Sequence, residues 1–405
     1  MTHNQPSSAQ RAPTWVTALS LFSVTVGGGV FVVQMIAGLA DKAWQAYLIN
    51  FLLFAAIAHG AVLFSTLMHT VNATWSGPLA DLAEAFSAFF PVSFLLFVLL
   101  YWGQDHVFPW LHHDLHGKEV WLNLPFLFSR DAAGLLVLYG CGFAYLYHAL
   151  YFKLKARGAS GKAAVALWRR WQNRPPDEER FRHRMTVFAI LYMLAFAVVL
   201  SLLGYDLTMS ADPHWYSTLF GAYCFIKAVY VGFGALIILA ALLHLSPRNG
   251  FVLKASQFHD IGKLFFAFGL MWADFFYAQL VVIWYGNLPE ETAYIIERTM
   301  TAPWKGLAWA VFIACFIGPF LILLNKKIKT LPAAMIVICA VVITGMWLEH
   351  FLLIVPVFDP HPVSLPLNWM DAGVGLGFLG LLVAALTSYL NQFPEILQPR
   401  VEEGH

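Results

Sequence analysis

The stretch SADPHWYSTLFGAYCFIKAVYVGFGALIILAALLHL, residues 210–245, decides the fold. Its apolar part is long enough to cross a bilayer, whose hydrocarbon core is about 30 Å thick and requires about 20 helical residues. Lys227 nevertheless lies inside this run. Because a lone ammonium group at that depth costs at least about 3 kcal/mol, its presence predicts a partner or a functional role.

The rest of the chain has the same character. Its 405 residues are 60% hydrophobic and only 12% charged, with a mean hydropathy of +0.66, which is unlike a soluble globular protein. Segments that cross a bilayer must be helices, and the alternating segments of a membrane barrel are absent. The sequence therefore predicts an all-α polytopic membrane protein. Its ten apolar runs cover residues 15–39, 44–69, 87–105, 131–152, 185–206, 215–245, 259–286, 303–324, 332–356 and 371–392.

The distribution of Lys and Arg predicts the orientation. If the N-terminus is inside, most of the 24 Lys and Arg residues fall on the inner side, above all in the basic segment 153–184. The positive-inside rule then places both termini in the cytoplasm. The outer segments 105–130, 284–305 and 357–371 are rich in Trp, Pro and His. Such segments either form interfacial aromatic belts or dock a partner.

Charge and cysteine content limit the partners and cofactors. The net charge of +1 gives no indication of a nucleic-acid partner. The four cysteines lie within apolar runs and form no C-x-x-C pair, so we expect packing roles and no iron–sulfur cluster in this chain. His59 is a conceivable haem ligand, but no second histidine occurs at matching depth on another span, so no haem is expected.

Charged residues within the membrane have two interpretations. Lys227 could be neutralised by Asp274 or Glu349 in a purely structural pair. Alternatively, these groups could form a proton relay together with His350, Tyr223 and Tyr277. Several such groups on different spans favour the relay. His59 and His148 in the first half of the chain offer a parallel route.

A second polar set lies at the outer ends of spans two to five. Quinone chemistry requires aromatic walls, hydrogen-bond donors for the carbonyl oxygens and an acid that exchanges protons, and this set provides all three. Ordinary interfacial polarity is the alternative explanation. The set comprises Tyr47, Asn50, Gln104, Asp105, His106, Arg130, Asp131, Tyr205 and Asp206.

Three segments resemble a known family of membrane subunits. They are WLNLPFLFSRD (121–131), DLTMSADPHWYSTLFGAY (206–223) and FHDIGKLFFAFGLMWADFFYAQLVVIWYGNLPEET (258–292). They are similar to the NrfD/PsrC-like quinone-interacting subunits, especially the ten-span kind found in alternative complex III and in the Qrc menaquinone reductase. The resemblance extends from span two through span nine, and the DPHWYST and WYGNxPEE stretches are its most specific parts.

The resemblance implies two four-helix bundles, a first one on the quinone side and a second one, flanked by spans one and ten. The implied organisation is a cytoplasmic tail (1–14), a flanking helix (15–39), a first bundle (44–152 and 185–206), a basic cytoplasmic loop (153–184), a second bundle (215–356), and a last helix with its tail (371–405).

The resemblance also implies a function. Such a subunit carries no redox centre of its own and binds quinone, with menaquinone favoured, near the periplasmic surface. Its partners are an iron–sulfur subunit, a multihaem cytochrome c and a molybdopterin-like periplasmic subunit. The family's span-four acid corresponds to Asp131, and its span-three histidine corresponds to His106 or, in another alignment, to Gln104.

The leading hypothesis is thus the quinone-binding subunit of a quinone/cytochrome c oxidoreductase complex. Electrons arriving from the periplasm and protons from the cytoplasm would make its turnover electrogenic. The alternative from a different class is a proton-coupled secondary transporter, since charged groups on many spans also suit a carrier.

Overall fold

The computed structural model describes residues 13–112, 115, 117–246 and 250–398. This part of the chain contains helices and no β-strand. Residues 1–12 of the predicted cytoplasmic tail and 399–405 of the predicted C-terminal tail lie outside it. The helices, in chain order, are α1 (Thr14–Ile36), α2 (Ala40–Thr70), α3 (Gly77–Ala83), α4 (Phe90–Leu99), α5 (Gln104–Val107), α6 (Leu124–Arg157), α7 (Lys162–Asn173), α8 (Glu178–Leu207), α9 (Phe220–Leu245), α10 (Ala255–Gly286), α11 (Pro289–Thr299), α12 (Trp304–Phe312), α13 (Gly318–Leu323), α14 (Lys326–Lys329), α15 (Pro332–Phe358) and α16 (Trp369–Gln392).

Within the described residues, ten helical segments are long and apolar enough to span a membrane. The predicted all-α polytopic membrane fold is therefore confirmed. Seven spans consist of α1, α2, α6, α9, α10, α15 and α16, and α8 with a short 3₁₀ turn forms the fifth. The eighth span joins α12 to α13 through a π-helical turn at Ile313–Ile317. The third span joins α3, α4 and α5 through 3₁₀ turns.

Two predicted boundaries are wrong. The third span begins at Thr74 rather than at residue 87, because the polar residues Asp81 and Glu84 interrupt its apolar run although both are buried. The segment 153–184 is mostly helical rather than a loop. Helix α6 continues to Arg157, α7 occupies its middle, and α8 already begins at Glu178.

The spans pack as two bundles joined at their centre. The first contains α2, the third span, α6 and α8, and the second contains α9, α10, the eighth span and α15, with α2 against α9 between them. Because successive spans run in opposite directions, alternate connections share one end of the molecule. We call the end with the connections 158–177 and 324–331 the basic end, and the end with 108–123, 287–303 and 359–368 the aromatic end.

Two pairs of glycines allow helix backbones to touch. A methyl group added at Gly60 of α2 would lie 1.9 Å from the Ala228 carbonyl oxygen, and Gly232 of α9 faces Gly60 in the same way. In the flanking pair of helices, a methyl group at Gly27 of α1 would lie 2.4 Å from the Gly377 Cα of α16. Small residues at helix crossings permit this approach within a membrane, where close packing drives association.

Replacing Gly60 by valine should therefore push the two bundles apart. We expect a loss of about 2 to 3 kcal/mol of stability, at the upper part of the range for overpacked cores. Thermal unfolding of the detergent-solubilised protein measures the effect. Gly28→Val is the matched control, because nothing lies within 4 Å of a methyl group added there. Equal unfolding temperatures for the two variants would contradict this packing.

Candidate functional site

At the aromatic end of the first bundle, Arg130 and Asp206 form a buried ion pair. Arg130 donates from Nε to Asp206 Oδ2 at 2.7 Å and from Nη2 to Oδ1 at 2.6 Å. The Trp121 indole donates to Asp206 Oδ1 at 3.0 Å, and the guanidinium lies 4.0 Å from the Trp121 ring centre. Two parallel hydrogen bonds hold an arginine–carboxylate pair in one geometry, so the Asp206 side chain is fixed in position.

Asp131 lies beside this pair and differs from it. Its side chain is completely buried on α6, and its electrostatic neighbours are Asp206 and Arg130. Neither of its carboxyl oxygens accepts a hydrogen bond from a donor among the described residues, and the group within hydrogen-bonding reach is the Asp206 carboxyl, a second acid. Leaving a buried polar group unpaired costs about 1 to 3 kcal/mol, which makes Asp131 the strongest functional candidate in the first bundle.

The other predicted quinone-site residues divide among three places. His106 Nδ1 lies 2.6 Å from Asp41 Oδ1 at the partly exposed rim. On the same short helix, Gln104 has a buried amide oxygen without a partner in the described residues, and Asp105 is exposed. Tyr205 is partly exposed and donates to the Thr218 carbonyl at 2.7 Å.

Tyr47 and Asn50 form their hydrogen bonds with residues outside the predicted outer polar set. The Tyr47 ring packs on Phe378 of α16, and its hydroxyl donates to the Leu96 carbonyl at 2.9 Å. Asn50 accepts from the Trp347 indole of α15 at 3.1 Å. Both residues therefore fasten α2 to its neighbours, and only Arg130, Asp131 and Asp206 form a compact cluster.

His59 lies at the centre of the first bundle. Its ring is completely buried and packs against Phe90 and Tyr139, whose ring centres lie 4.7 and 5.2 Å away. Its Nδ1 is 3.4 Å from the Tyr192 hydroxyl, and its Nε2 has no partner among the described residues. His148 instead donates from Nδ1 to the Ala144 carbonyl of its own helix at 2.6 Å. The two predicted relay histidines therefore have separate surroundings.

A buried ionic network at the basic end was not predicted. Lys153 lies 2.8 Å from Asp81 and 2.6 Å from Glu84, and Arg157 lies 2.7 Å from Asp81. Ser65 donates to Glu84 at 3.0 Å, which extends the network toward the middle of the bundle. The sequence spacing could have indicated this network. Asp81 and Glu84 are three residues apart and Lys153 and Arg157 are four apart, so each pair lies on one face of a helix.

In the second bundle, the partner of Lys227 is Glu349. Lys227 Nζ lies 2.8 Å from Glu349 Oε2, and the Tyr223 hydroxyl donates to the other carboxylate oxygen. His350 Nδ1 donates to the Met346 carbonyl at 2.8 Å and lies 4.0 Å from Glu349. Both members of the ion pair are buried, so each satisfies the charge of the other.

Asp274 and Tyr277 do not join this cluster. Both are exposed on the outward face of α10, so the predicted Lys227–Asp274 alternative and the membership of Asp274 in one relay are wrong. Lys227 also lies nearer the aromatic end than the sequence indicated. Since α9 begins only at Phe220, Lys227 is about 10 Å along the helix.

Glu349 also borders a cavity at the aromatic end of the second bundle. The cavity encloses about 740 Å³, its open mouth included, between α9, α10, α11, α12 and α15. Its walls are mainly apolar and aromatic, with Trp272 and Phe312 among them, and its polar residues include Gln279 and Arg298. Concave apolar sites with a few convergent polar groups are the usual form of small-molecule sites.

Comparison with known proteins gives no further assignment. No family model and no curated protein sequence matches this chain. Any function must therefore be argued from the two clusters and the cavity.

Proposed function

We propose that this chain is the quinone-reacting subunit of a membrane oxidoreductase complex, as its resemblance to NrfD/PsrC-like subunits implies. The observation that supports this most is Asp131, a buried carboxyl group that lies beside a second acid, Asp206, and accepts no hydrogen bond from a donor among the described residues. It lies on α6, near the aromatic end, where a headgroup entering from the bilayer would meet it.

Quinone turnover explains why an acid would be kept buried at this position. Reduction adds two electrons and two protons to the two carbonyl oxygens, and oxidation returns them, so a group that exchanges protons must lie beside the ring. Asp131 can supply that exchange. Asp206 cannot do so easily, because both of its oxygens accept hydrogen bonds from Arg130. Arg130 and Asp206 are therefore positioning residues in this proposal, and Gln104 and His106 lie on the neighbouring helix α5 as candidates to contact the headgroup.

The protons would cross the membrane along polar groups inside the two bundles. In the first bundle, Glu84 and Ser65 near the basic end precede His59 in the middle and Asp131 near the aromatic end. In the second bundle, Lys227, Glu349 and His350 form the corresponding group. If the basic end is cytoplasmic, as the positive-inside rule indicates, protons taken from that side make turnover electrogenic.

Partners would exchange electrons with the quinone. We propose an iron–sulfur subunit, a multihaem cytochrome c and a molybdopterin-like subunit at the aromatic end, on the periplasmic side of a bacterial inner membrane. Large aromatic side chains such as Trp284, Tyr285 and Trp369 are exposed at that end, as expected of a docking or interfacial surface. Asp274 is exposed on α10, and contact between a carboxylate and lipid is energetically unfavourable. This further favours an assembly in which another subunit covers that face of α10.

Purification from native membranes tests this function. A tag on this chain should retrieve proteins that contain haem and iron–sulfur clusters, and the isolated assembly should transfer electrons between a quinol and cytochrome c. Absorption spectra and metal analysis of the assembly provide the measurement. A chain that purifies alone and moves a solute across vesicle membranes would instead establish the secondary transporter.

A further inference from the structure

The cavity of the second bundle contains buried hydrogen-bond donors that nothing in the described protein satisfies. Trp215 Nε1, the Tyr294 hydroxyl and Arg298 Nε belong to residues that line it and are at most 4% exposed. None of the three atoms has a hydrogen-bond partner among the described residues. Each unpaired buried donor costs about 1 to 3 kcal/mol, and three in one cavity are more than packing explains.

These three side chains are held rigidly together. The rings of Trp215 and Tyr294 are stacked at 3.9 Å between centres and 7° between planes. The Arg298 guanidinium lies 3.4 Å from the centre of the Tyr294 ring, so Tyr294 is enclosed between Trp215 and Arg298. Burial raises the pKa of the Tyr294 hydroxyl to about 12, so it remains a donor at neutral pH. The donors are thus preorganised, which lowers the cost of binding.

The remaining polar groups indicate what kind of ligand would match. Glu349 is already neutralised by Lys227 and accepts a hydrogen bond from Tyr223, so it does not demand a cation. Two of the unpaired atoms, the indole and guanidinium nitrogens, can only donate. The ligand must therefore bring acceptor oxygens. The aromatic walls, which include Phe220, Trp272 and Phe312, favour a flat ring over a flexible headgroup.

The route into the cavity is lateral. Seven of its lining residues are only partly buried, and four of them, Phe276 and Leu280 of α10 and Ala308 and Phe312 of α12, lie on two spans. The other three are Ile295, Thr299 and Leu353. Because most of the surface of these two spans is not buried in protein, an opening between them faces lipid. A hydrocarbon tail could leave between α10 and α12 while the headgroup stays inside.

We infer that this cavity is a second ligand site, separate from Asp131, which binds a planar ring with carbonyl oxygens and a hydrocarbon tail. Trp215, Tyr294 and Arg298 donate to the carbonyl oxygens, and the aromatic walls hold the ring. The inference depends on the cavity and its unpaired donors and would stand even if Asp131 had no part in quinone turnover.

Photolabelling of the purified full chain tests the site without any enzymatic assay. The probe is a 1,4-naphthoquinone with a short isoprenoid tail and a diazirine group, and labelled peptides are mapped by mass spectrometry. We expect labels on α10, α11 and α12. In Trp215→Phe/Tyr294→Phe, which keeps an aromatic side chain at both positions and removes two donors, labelling there should fall at least about 10-fold, as expected for two lost hydrogen bonds.

Two further variants make the result decisive. Trp284→Phe/Tyr285→Phe changes the same residue types on the exposed surface of the same end and should label like the wild type. Ala308→Phe narrows the mouth without removing a donor and should also abolish labelling, which separates loss of the site from misfolding of the first variant.

Other outcomes would overturn the inference. Labels that avoid these helices, or that persist unchanged in both Trp215→Phe/Tyr294→Phe and Ala308→Phe, would show that the ring does not bind there. Stronger labelling of the same peptides by a diazirine phosphatidylglycerol, with displacement of the naphthoquinone, would assign the cavity to acyl lipid instead. Labelling at Asp131 is scored separately, so failure here leaves the proposed function intact.

Discussion

Replacing Lys227 by methionine is expected to cost the protein about 3 to 5 kcal/mol of stability, the effect of breaking a buried ion pair. The Glu349 carboxylate would lose the ammonium group that lies 2.8 Å away and would remain buried in an apolar bundle. Unfolding of the purified chain in mixed micelles, followed by circular dichroism as sodium dodecyl sulfate is added, measures the loss.

The chain provides its own controls for this variant. Lys263→Met removes a lysine whose partner, Asp260, lies at 2.7 Å on the surface of α10, and surface pairs contribute less than about 1 kcal/mol. The double variant Lys227→Met/Glu349→Gln has no unpaired charge and should recover most of the stability. If Lys227→Met behaves like Lys263→Met, the pair does not stabilise the bundle.

The double variant also separates the two interpretations of the membrane charges. It should fold but cannot carry a proton through Lys227 or Glu349. Reconstituted in proteoliposomes within the assembly, it should lose charge translocation if these residues form a relay. Unchanged translocation would leave the pair with a structural role only.

Asp131→Asn should slow quinone turnover by at least about 100-fold while the assembly remains intact. An amide preserves the shape of the carboxyl group but cannot exchange protons, and a positioned acid or base typically contributes 100- to 10,000-fold. The rate of electron transfer between quinone and cytochrome c, measured in both directions, shows the loss. Size-exclusion chromatography of the purified assembly shows whether the subunits remain together.

Asp105→Asn is the matched control, because Asp105 is an exposed carboxylate near the same end of the first bundle. It should leave turnover within about twofold of the wild type, since a solvent-exposed carboxylate is a weak proton donor at neutral pH. Near-normal turnover of Asp131→Asn would remove Asp131 as the acid, whatever its burial.

Hydropathy alone located all ten spans, because each bilayer crossing requires a long apolar helix. It failed at the start of the third span, where Pro78, Asp81 and Glu84 interrupt the apolar run. The bases that make Asp81 tolerable are Lys153 and Arg157, and Arg157 lies 76 positions along the chain. Hydropathy averages over neighbours in sequence, so it cannot register a charge neutralised by a distant helix.

The candidate site was predicted less completely for the same reason. Lys227 was recognised as requiring a partner, but Asp274 and Glu349 were equivalent until the rotation of each helix about its own axis was known. The structure turns Asp274 outward and brings Glu349, 122 positions away, to Lys227. The unpaired donors of Trp215, Tyr294 and Arg298 could not be predicted from the sequence. A buried donor is recognised as unpaired only when the positions of all the surrounding acceptors are known.

The pairing of α1 with α16 determines when the fold can be completed during synthesis. The face of α1 that carries Ser20, Ser23 and Gly27 is buried, and its closest backbone contact is with Gly377 of α16. Helix α1 enters the membrane before α16 and thus has to wait for its partner. Until the ribosome has made residues 369–392, that small-residue face is covered by lipid alone, so a chain that ends early is left with an unpaired helix available to membrane quality control.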